Sequence, residues 1–248
     1  MRHRCVLAIC LTLIAGSASA QECFPFSWLC ERPAEPRIQR EVPVGPRDTS
    51  PSFGTTIERQ YAAIYGPVVG EPFPVPAVRL SDIHPNYLRR AVSYASHEAP
   101  GTIIIDPQSR FLFLVQGAGR ALRYGVGVGR DGFAWSGVAT IRDKQEWPDW
   151  YPPKEMIQRQ PELKRYMTVL RSGLGIAGGP SNPLGARAMY LWQGNKDTLY
   201  RIHGTNEPHT IGQSLSSGCI RMLNQDVIDL YERTPLGAKV VVLRSRLG

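Results

Sequence analysis

Between Gly101 and Ile141 the chain runs through short β-type segments, each closed by turn residues, and that spacing favours a sheet. Thr102 to Asp106 is a β-branched run, Pro107-Gln108-Ser109 is a turn, and Arg110 to Val115 is a second run, which together predict a hairpin. Gly117 and Gly119 bracket the next turn. Arg120 to Val128 then predicts a third strand and Gly137 to Ile141 a fourth. The pattern resumes at Ala186–Trp192 and Thr198–His203, and Lys239 to Leu243 reads as a buried closing strand. One helix is expected late in the chain. Asn224 can cap it, and Val227, Ile228, Leu230 and Tyr231 offer apolar faces up to Arg233. The fold class expected from these runs is mainly β, a compact sandwich or barrel-like sheet of roughly 145 residues, within single-domain size.

Glu146 to Pro180 interrupts the strand rhythm. It opens with the rigid aromatic run Trp147-Pro148-Asp149-Trp150-Tyr151-Pro152-Pro153. Met156 to Leu170 then predicts a helix carrying Arg159, Lys164 and Arg165. Long insertions between strands often serve as lids or substrate walls, and a surface helix capping the sheet is the plainer alternative. Gly125, Gly127 and Gly129 alternate along a strand with no helix after it. They fit a curved sheet or a close backbone approach better than a phosphate-binding loop.

The N-terminus reads as an export signal over residues 1–20. Arg2 and Arg4 precede an apolar run from Cys5 to Ala15, too short to span a bilayer comfortably, and Ala18-Ser19-Ala20 supplies a small-x-small cleavage pattern. Loss of Arg2 and Arg4 takes the formal charge from +8 to +6. Nucleic acid is a poor partner for an exported basic chain, and an anionic wall polymer or membrane surface is a better one. Residues 31–80 hold nine prolines and little apolar periodicity, so 21–80 reads as a Pro-rich linker. Residues 81–98 are expected to form a helical lead-in, with Leu88, Ala91, Val92 and Ala95 at helical spacing, and 99–245 the main domain. Cys23 and Cys30, with six residues between them and in an oxidising compartment, are expected to form a disulfide, which leaves Cys219 as the odd thiol.

Cys219 lies in the stretch Arg201–Met222, R-I-H-G-T-N-E-P-H-T-I-G-Q-S-L-S-S-G-C-I-R-M, with His203 and His209. A thiol beside an imidazole is the minimum equipment for cysteine nucleophilic catalysis. Gly218, just before Cys219, lets the Gly218 and Cys219 amides approach a substrate as an oxyanion hole. A buried inert cysteine is the plain alternative. A zinc site would need a third or fourth ligand, and neither a second nearby Cys nor an H-x-x-x-H accompanies this trio. The histidine precedes the cysteine, the reverse of the papain order, and no G-x-S-x-G elbow is present.

The stretch resembles the two-part signature of the YkuD-type L,D-transpeptidases. His203, Gly204 and Thr205 match an I-H-G-T strand end, and Ser216, Gly218, Cys219, Ile220, Arg221 and Met222 match S-x-G-C-I-R-M. Gly178-Gly179-Pro180 and Asn182-Pro183-Leu184-Gly185 extend the likeness, which covers about residues 100–243. Ser217 stands where many members carry a second histidine. The resemblance implies a YkuD-like β-sandwich, with Cys219 as nucleophile, His203 as proton acceptor and donor, the Gly204 carbonyl orienting that imidazole, and Gly218 in the oxyanion hole. It implies Arg221, Ser217 and Thr205 as substrate contacts, with a structural salt bridge as the alternative role of Arg221. It further implies that 146–180 covers the catalytic groove. The substrate implied is a peptidoglycan tetrapeptide stem, cut between meso-diaminopimelate and D-alanine, with no cofactor and no metal. The acceptor is another stem, a D-amino acid, an outer-membrane protein or lipoprotein amine, or water, the last making the chain an L,D-carboxypeptidase. A carbapenem is the implied inhibitor and the Gram-negative periplasm the implied compartment. A non-catalytic wall-binding module of the same fold is the reading from another class. A charged His203, if in reach, is expected to draw the thiol towards thiolate.

Overall fold

The computed structural model describes residues 54–129, 135–216 and 218–244. The Cys23–Cys30 pair, the signal, most of the Pro-rich segment and Ser217 lie outside the described residues. In chain order, α1 (Gly54–Ile64) leads to β1 (Arg90–Ser93), β2 (Ile103–Asp106), β3 (Phe111–Gly117), β4 (Arg120–Gly125), β5 (Val128–Gly129) and β6 (Gly137–Glu146). Then come α2 (Lys154–Arg159), β7 (Thr168–Leu170), β8 (Gly173–Gly175), β9 (Arg187–Gln193), β10 (Lys196–His203), β11 (Ser214–Ser216), β12 (Ile220–Arg221), α3 (Asn224–Arg233) and β13 (Lys239–Val242).

Nine strands form one sheet in the order β1-β4-β3-β2-β13-β6-β9-β10-β12, and β5 with β11 and β7 with β8 form two small ladders. The mainly-β expectation holds. The β2–β3 hairpin pairs Ile103 with Leu114 and Ile105 with Leu112. Its turn is fastened by Asp106, whose carboxylate accepts from the Gln108 and Ser109 amides and the Ser109 hydroxyl. Side chains two residues apart share a strand face. Ile103 and Ile105, Leu112 and Leu114, Met189 and Leu191, and Val240 and Val242 accordingly enter one core with Ile141, Ile202, Ile220 and Val227 and Leu230 of α3.

Several local expectations are corrected. Residues 81–96 do not form a helix. Leu80–Asp82 and Pro85–Tyr87 are 3₁₀ turns, and β1 pairs Ala91 with Leu122 on β4. The apolar spacing there serves two separate contacts, since Leu88 joins Tyr65, Ile83, Ile211 and Leu223 in a second cluster. Residues 54–80 are built into the fold rather than acting as a spacer. Tyr65 and Val75 are buried, and Gln225 of α3 donates to the carbonyls of Gly66 (3.0 Å) and Pro76 (2.9 Å). The prolines hold this segment extended along α3, where its carbonyls meet donors. The helix expected over Met156–Leu170 is cut short. Pro161 has no N–H to continue α2, so the chain passes into a 3₁₀ turn, Pro161–Tyr166, and then the β7–β8 hairpin. The strand expected over Arg120–Val128 ends at Gly125, and Val128 turns to pair with β11.

Candidate active site

β10 and β12 run parallel, with Ile202 beside Ile220 and His203 beside Arg221. Alternation sends Ile202 and Ile220 into the core and places Arg201, His203, Cys219 and Arg221 together on the opposite face. Cys219 is two residues back from the partner of His203. Strand spacing and rise put their Cα atoms roughly 8 Å apart, within reach of a thiol and an imidazole. The sequence stretch read as one site is thus assembled by a pair of neighbouring strand ends.

His203 is buried, and its Nδ1 lies 2.6 Å from the Gly204 oxygen. A carbonyl only accepts, so Nδ1 carries the hydrogen and Nε2 holds the lone pair. Gly204 itself is fixed by its own N–H to Arg187 O at 3.0 Å. Asn224 braces the next step, donating to Thr205 O (3.1 Å) and accepting from Ala186 N (3.0 Å). This corrects the capping role expected of Asn224. Leu223 takes the cap position, and the Asn224 side chain is engaged on the histidine loop instead. A Cβ at Gly204 or Gly185 would overlap Asn224 Oδ1, which is why glycine stands at both positions.

Burial and the Arg221 charge lower the His203 pKa to about 3, against the pull of the Gly204 and Leu184 carbonyls. Leu184 is placed by Asn182, which accepts from Leu184 N and donates to the carbonyls of Pro148, Ile176 and Ala177 at the base of the insertion. Cys219 is half-buried. Burial pushes its thiol up, against the Arg201 backbone N–H and the charges of Arg201 and Arg221, while Asp197 adds to the rise. The charged imidazole and thiolate expected from the residue types are therefore replaced by a neutral pair, because burial penalises both charges.

Arg221 forms an ion pair with buried Glu207 at 3.2 Å, and its backbone exchanges hydrogen bonds with Gly127. Thr205 is buried and accepts from Glu207 N at 3.0 Å. Glu207 was not singled out from sequence. Its signal was an acid two residues after a threonine in a proline turn. Gly218 adopts φ 123°, a left-handed value that glycine tolerates, and borders an apolar hollow of about 20 Å³ between Val128, Trp135, Tyr200 and Ile220. His209 is exposed on the 3₁₀ turn Pro208–Thr210. A second cavity, about 290 Å³, lies among Pro74, Val78, Trp147, Pro180, Thr205 and Asn206.

A family model described as YkuD, L,D-transpeptidase catalytic domain, matches residues 100–242. The chain belongs to this family. Among curated relatives it is similar to the "Probable L,D-transpeptidase ErfK/SrfK" of Escherichia coli strain K12, 34% identical over 110 residues, 43% of this chain and 31% of that one. It is also similar to the "Probable L,D-transpeptidase YbiS" of the same strain, 28% identical over 144 residues, 56% of this chain and 43% of the other. The matched region spans about a third to a half of these relatives. A solved structure from Brucella melitensis, described as a probable carnitine operon oxidoreductase, is 52% identical, covering 66% of this chain and 99% of that one, with a TM-score of 0.44. The expected YkuD-like fold is the one found.

Proposed function

We propose that this chain is an exported, cysteine-dependent L,D-transpeptidase of the periplasm that acts on peptidoglycan tetrapeptide stems. The observation that carries the reading is the shared face of β10 and β12, on which Cys219 and a His203 with its Nδ1 held by Gly204 sit at adjoining strand ends. Cys219 Sγ attacks the carbonyl between meso-diaminopimelate and D-alanine. His203 Nε2 takes the thiol proton as the C–S bond forms and returns it to the departing D-alanine nitrogen. A neutral base beside a neutral thiol suits this concerted transfer. The Gly218 and Cys219 amides receive the oxyanion. An acceptor amine, from a second stem, a D-amino acid or a wall-attached protein, then opens the thioester while His203 takes its proton. A carbapenem acylates the same sulfur. With Arg221 paired to Glu207, its part is to hold the β12 end and the charge beside His203.

The test is incubation of the mature protein, from Gln21 onward, with disaccharide tetrapeptides and each acceptor in turn. D-alanine release with cross-linked or exchanged product, lost in Cys219→Ala, is expected. Release with water as the sole acceptor would make it an L,D-carboxypeptidase. No release, with equal sacculus binding by wild type and Cys219→Ala, would make it a wall-binding module.

A further inference from the structure

β10 is irregular in one place. Asp197 pairs with Trp192 and Arg201 with Tyr190, so Thr198, Leu199 and Tyr200 together face Leu191 alone. Such a bulge bends a strand and re-aims the side chains beyond it. Its backbone groups are satisfied from within. Asp197 Oδ1 accepts from Leu199 N at 2.8 Å, and Thr198 Oγ1 accepts from Tyr200 N at 3.2 Å while donating to Leu191 O at 2.6 Å. Leu199 takes φ 64°, a left-handed conformation that a residue with a Cβ avoids. Its side chain is 75% exposed, so burial of that side chain does not hold it there.

Asp197 also grips the neighbouring arginine. Arg201 Nη1 donates to Oδ1 and Nη2 to Oδ2, each at 2.7 Å, and the guanidinium lies 4.3 Å over the Tyr190 ring. The β10–β12 register sets Arg201 alongside Cys219. The outcome is a fixed wall behind the sulfur. Leu199 O lies 4.0 Å from Cys219 Sγ, and the Arg201 backbone N–H donates to it.

We propose that Asp197 is a positioning residue for the nucleophile: through Leu199 and Arg201 it fixes the bulged stretch of β10 against which the Cys219 thiol is set, and it balances the cation beside that thiol. The inference rests on Cys219 being the nucleophile of the proposed reaction. The carboxylate acts in two separable ways. As an acceptor it holds the strained Leu199 N–H, and as a charge it offsets Arg201. The charged and titratable groups facing the sulfur are Asp197, Tyr200, Arg201 and His203 on β10 and Arg221 on β12. Arg201 and Arg221 favour the thiolate and Asp197 opposes it.

The test compares the mature wild type with Asp197→Asn, Asp197→Ala and Arg201→Gln. Iodoacetamide alkylation of Cys219, tracked across pH by the mass of its peptide, reads the thiol without requiring turnover, and carbapenem acylation is measured separately. Asparagine retains an acceptor for Leu199 N–H but removes the negative charge. Asp197→Asn should therefore move the alkylation profile to lower pH by about half to one pH unit, and Arg201→Gln to higher pH by a similar amount. Asp197→Ala loses the acceptor as well, so acylation should fall about tenfold further than in Asp197→Asn, as misplacement of a reacting group costs. Identical alkylation profiles in all four proteins, or equal acylation of the Asn and Ala variants, would overturn the proposal. If the alanine variant fails to fold, the Asn and Gln profiles decide. If wild-type Cys219 alkylates but neither carbapenem nor stem acylates it, the proposed reaction fails, while the alkylation shifts still judge Asp197.

Discussion

Replacing Asp226 by asparagine should flatten the pH dependence of folding stability. Asp226 is fully buried on α3 and faces Tyr65 and Arg89 from earlier in the chain and Asp229 from its own helix. The Tyr65 hydroxyl donates to it at 3.2 Å, Arg89 Nε lies 3.7 Å away, and Asp229 on the next turn takes Arg89 Nη1 at 2.6 Å. Burial pushes the Asp226 carboxyl up to about 7 from 3.8, with Arg89 and Tyr65 opposing and Asp229 reinforcing. The folded state thus keeps a proton that the unfolded chain has already lost. For a carboxyl raised in this way, the stabilising contribution is full below pH about 4 and is lost as pH rises through about 7. A difference of about three pH units, at about 1.36 kcal/mol each, is about 4 kcal/mol. Asparagine has no proton to lose, so this descent should vanish. Asp229 and Glu71, held low by their partners, tilt stability the other way, but both proteins share them. Urea unfolding of the mature wild type and Asp226→Asn at a series of pH values makes the comparison. If the two slopes coincide, Asp226 is ionised in the folded protein and Arg89 outweighs burial, which would refute the reasoning.

Glu71→Gln should destabilise by about 3 kcal/mol, because Arg187 would keep its buried charge with only the exposed Glu146 carboxylate, 3.9 Å away, to offset it; an unchanged melting temperature would show that the pair contributes nothing. His203→Ala should nearly abolish carbapenem acylation while His209→Ala, on an exposed turn, stays near wild type; the reverse result would move the base to His209. With the imidazole lowered to about 3 and the thiol raised, acylation should stay level from weakly acid to neutral pH and fall only as pH drops towards about 3, where His203 takes up a proton. A fall centred near the ordinary histidine value of about 6.5 would show that the ring is not desolvated.

The features legible in the sequence are those that depend on near neighbours. Ile103, Ile104 and Ile105 announce β2, the Asn224–Arg233 run announces α3, and the Thr198–His203 run ends at the histidine that the structure sets beside the strand following Cys219. The hidden features depend on partners far away in the chain. The stretch 54–80 looks incapable of burying anything until Gln225, Trp147 and Arg187 are seen to meet it, Glu71 accepting from both Trp147 and Arg187. Met156–Leu170 reads as a helix, yet one proline, Pro161, outweighs the helical propensity around it. The Asp197 bulge left no signal, since D-T-L-Y-R reads as an ordinary alternating strand. The neutral state of His203 and Cys219 was equally hidden, because residue types give charges and only burial removes them.

Chain order and sheet order part company at β13. This late strand runs between β2 and β6, parallel to the first and antiparallel to the second, and within the nine-stranded sheet of the described residues it joins the block β1-β4-β3-β2 to the block β6-β9-β10-β12. A chain made N-terminus first can therefore assemble both half-sheets while neither is closed. Ile103 must wait for Val240, and such distant pairings form slowly because the intervening loop has to be gathered first. During that wait β2 and β6 each offer an open edge, a template for pairing with another chain. His203 and Cys219 both lie with the second block, so the Cys219 thiol can be brought into place before the sheet is sealed. A chain interrupted before Lys239 would carry the Cys219 thiol on a fragment with two open strand edges, which makes the timing of the last strand a matter of thiol protection as much as of folding.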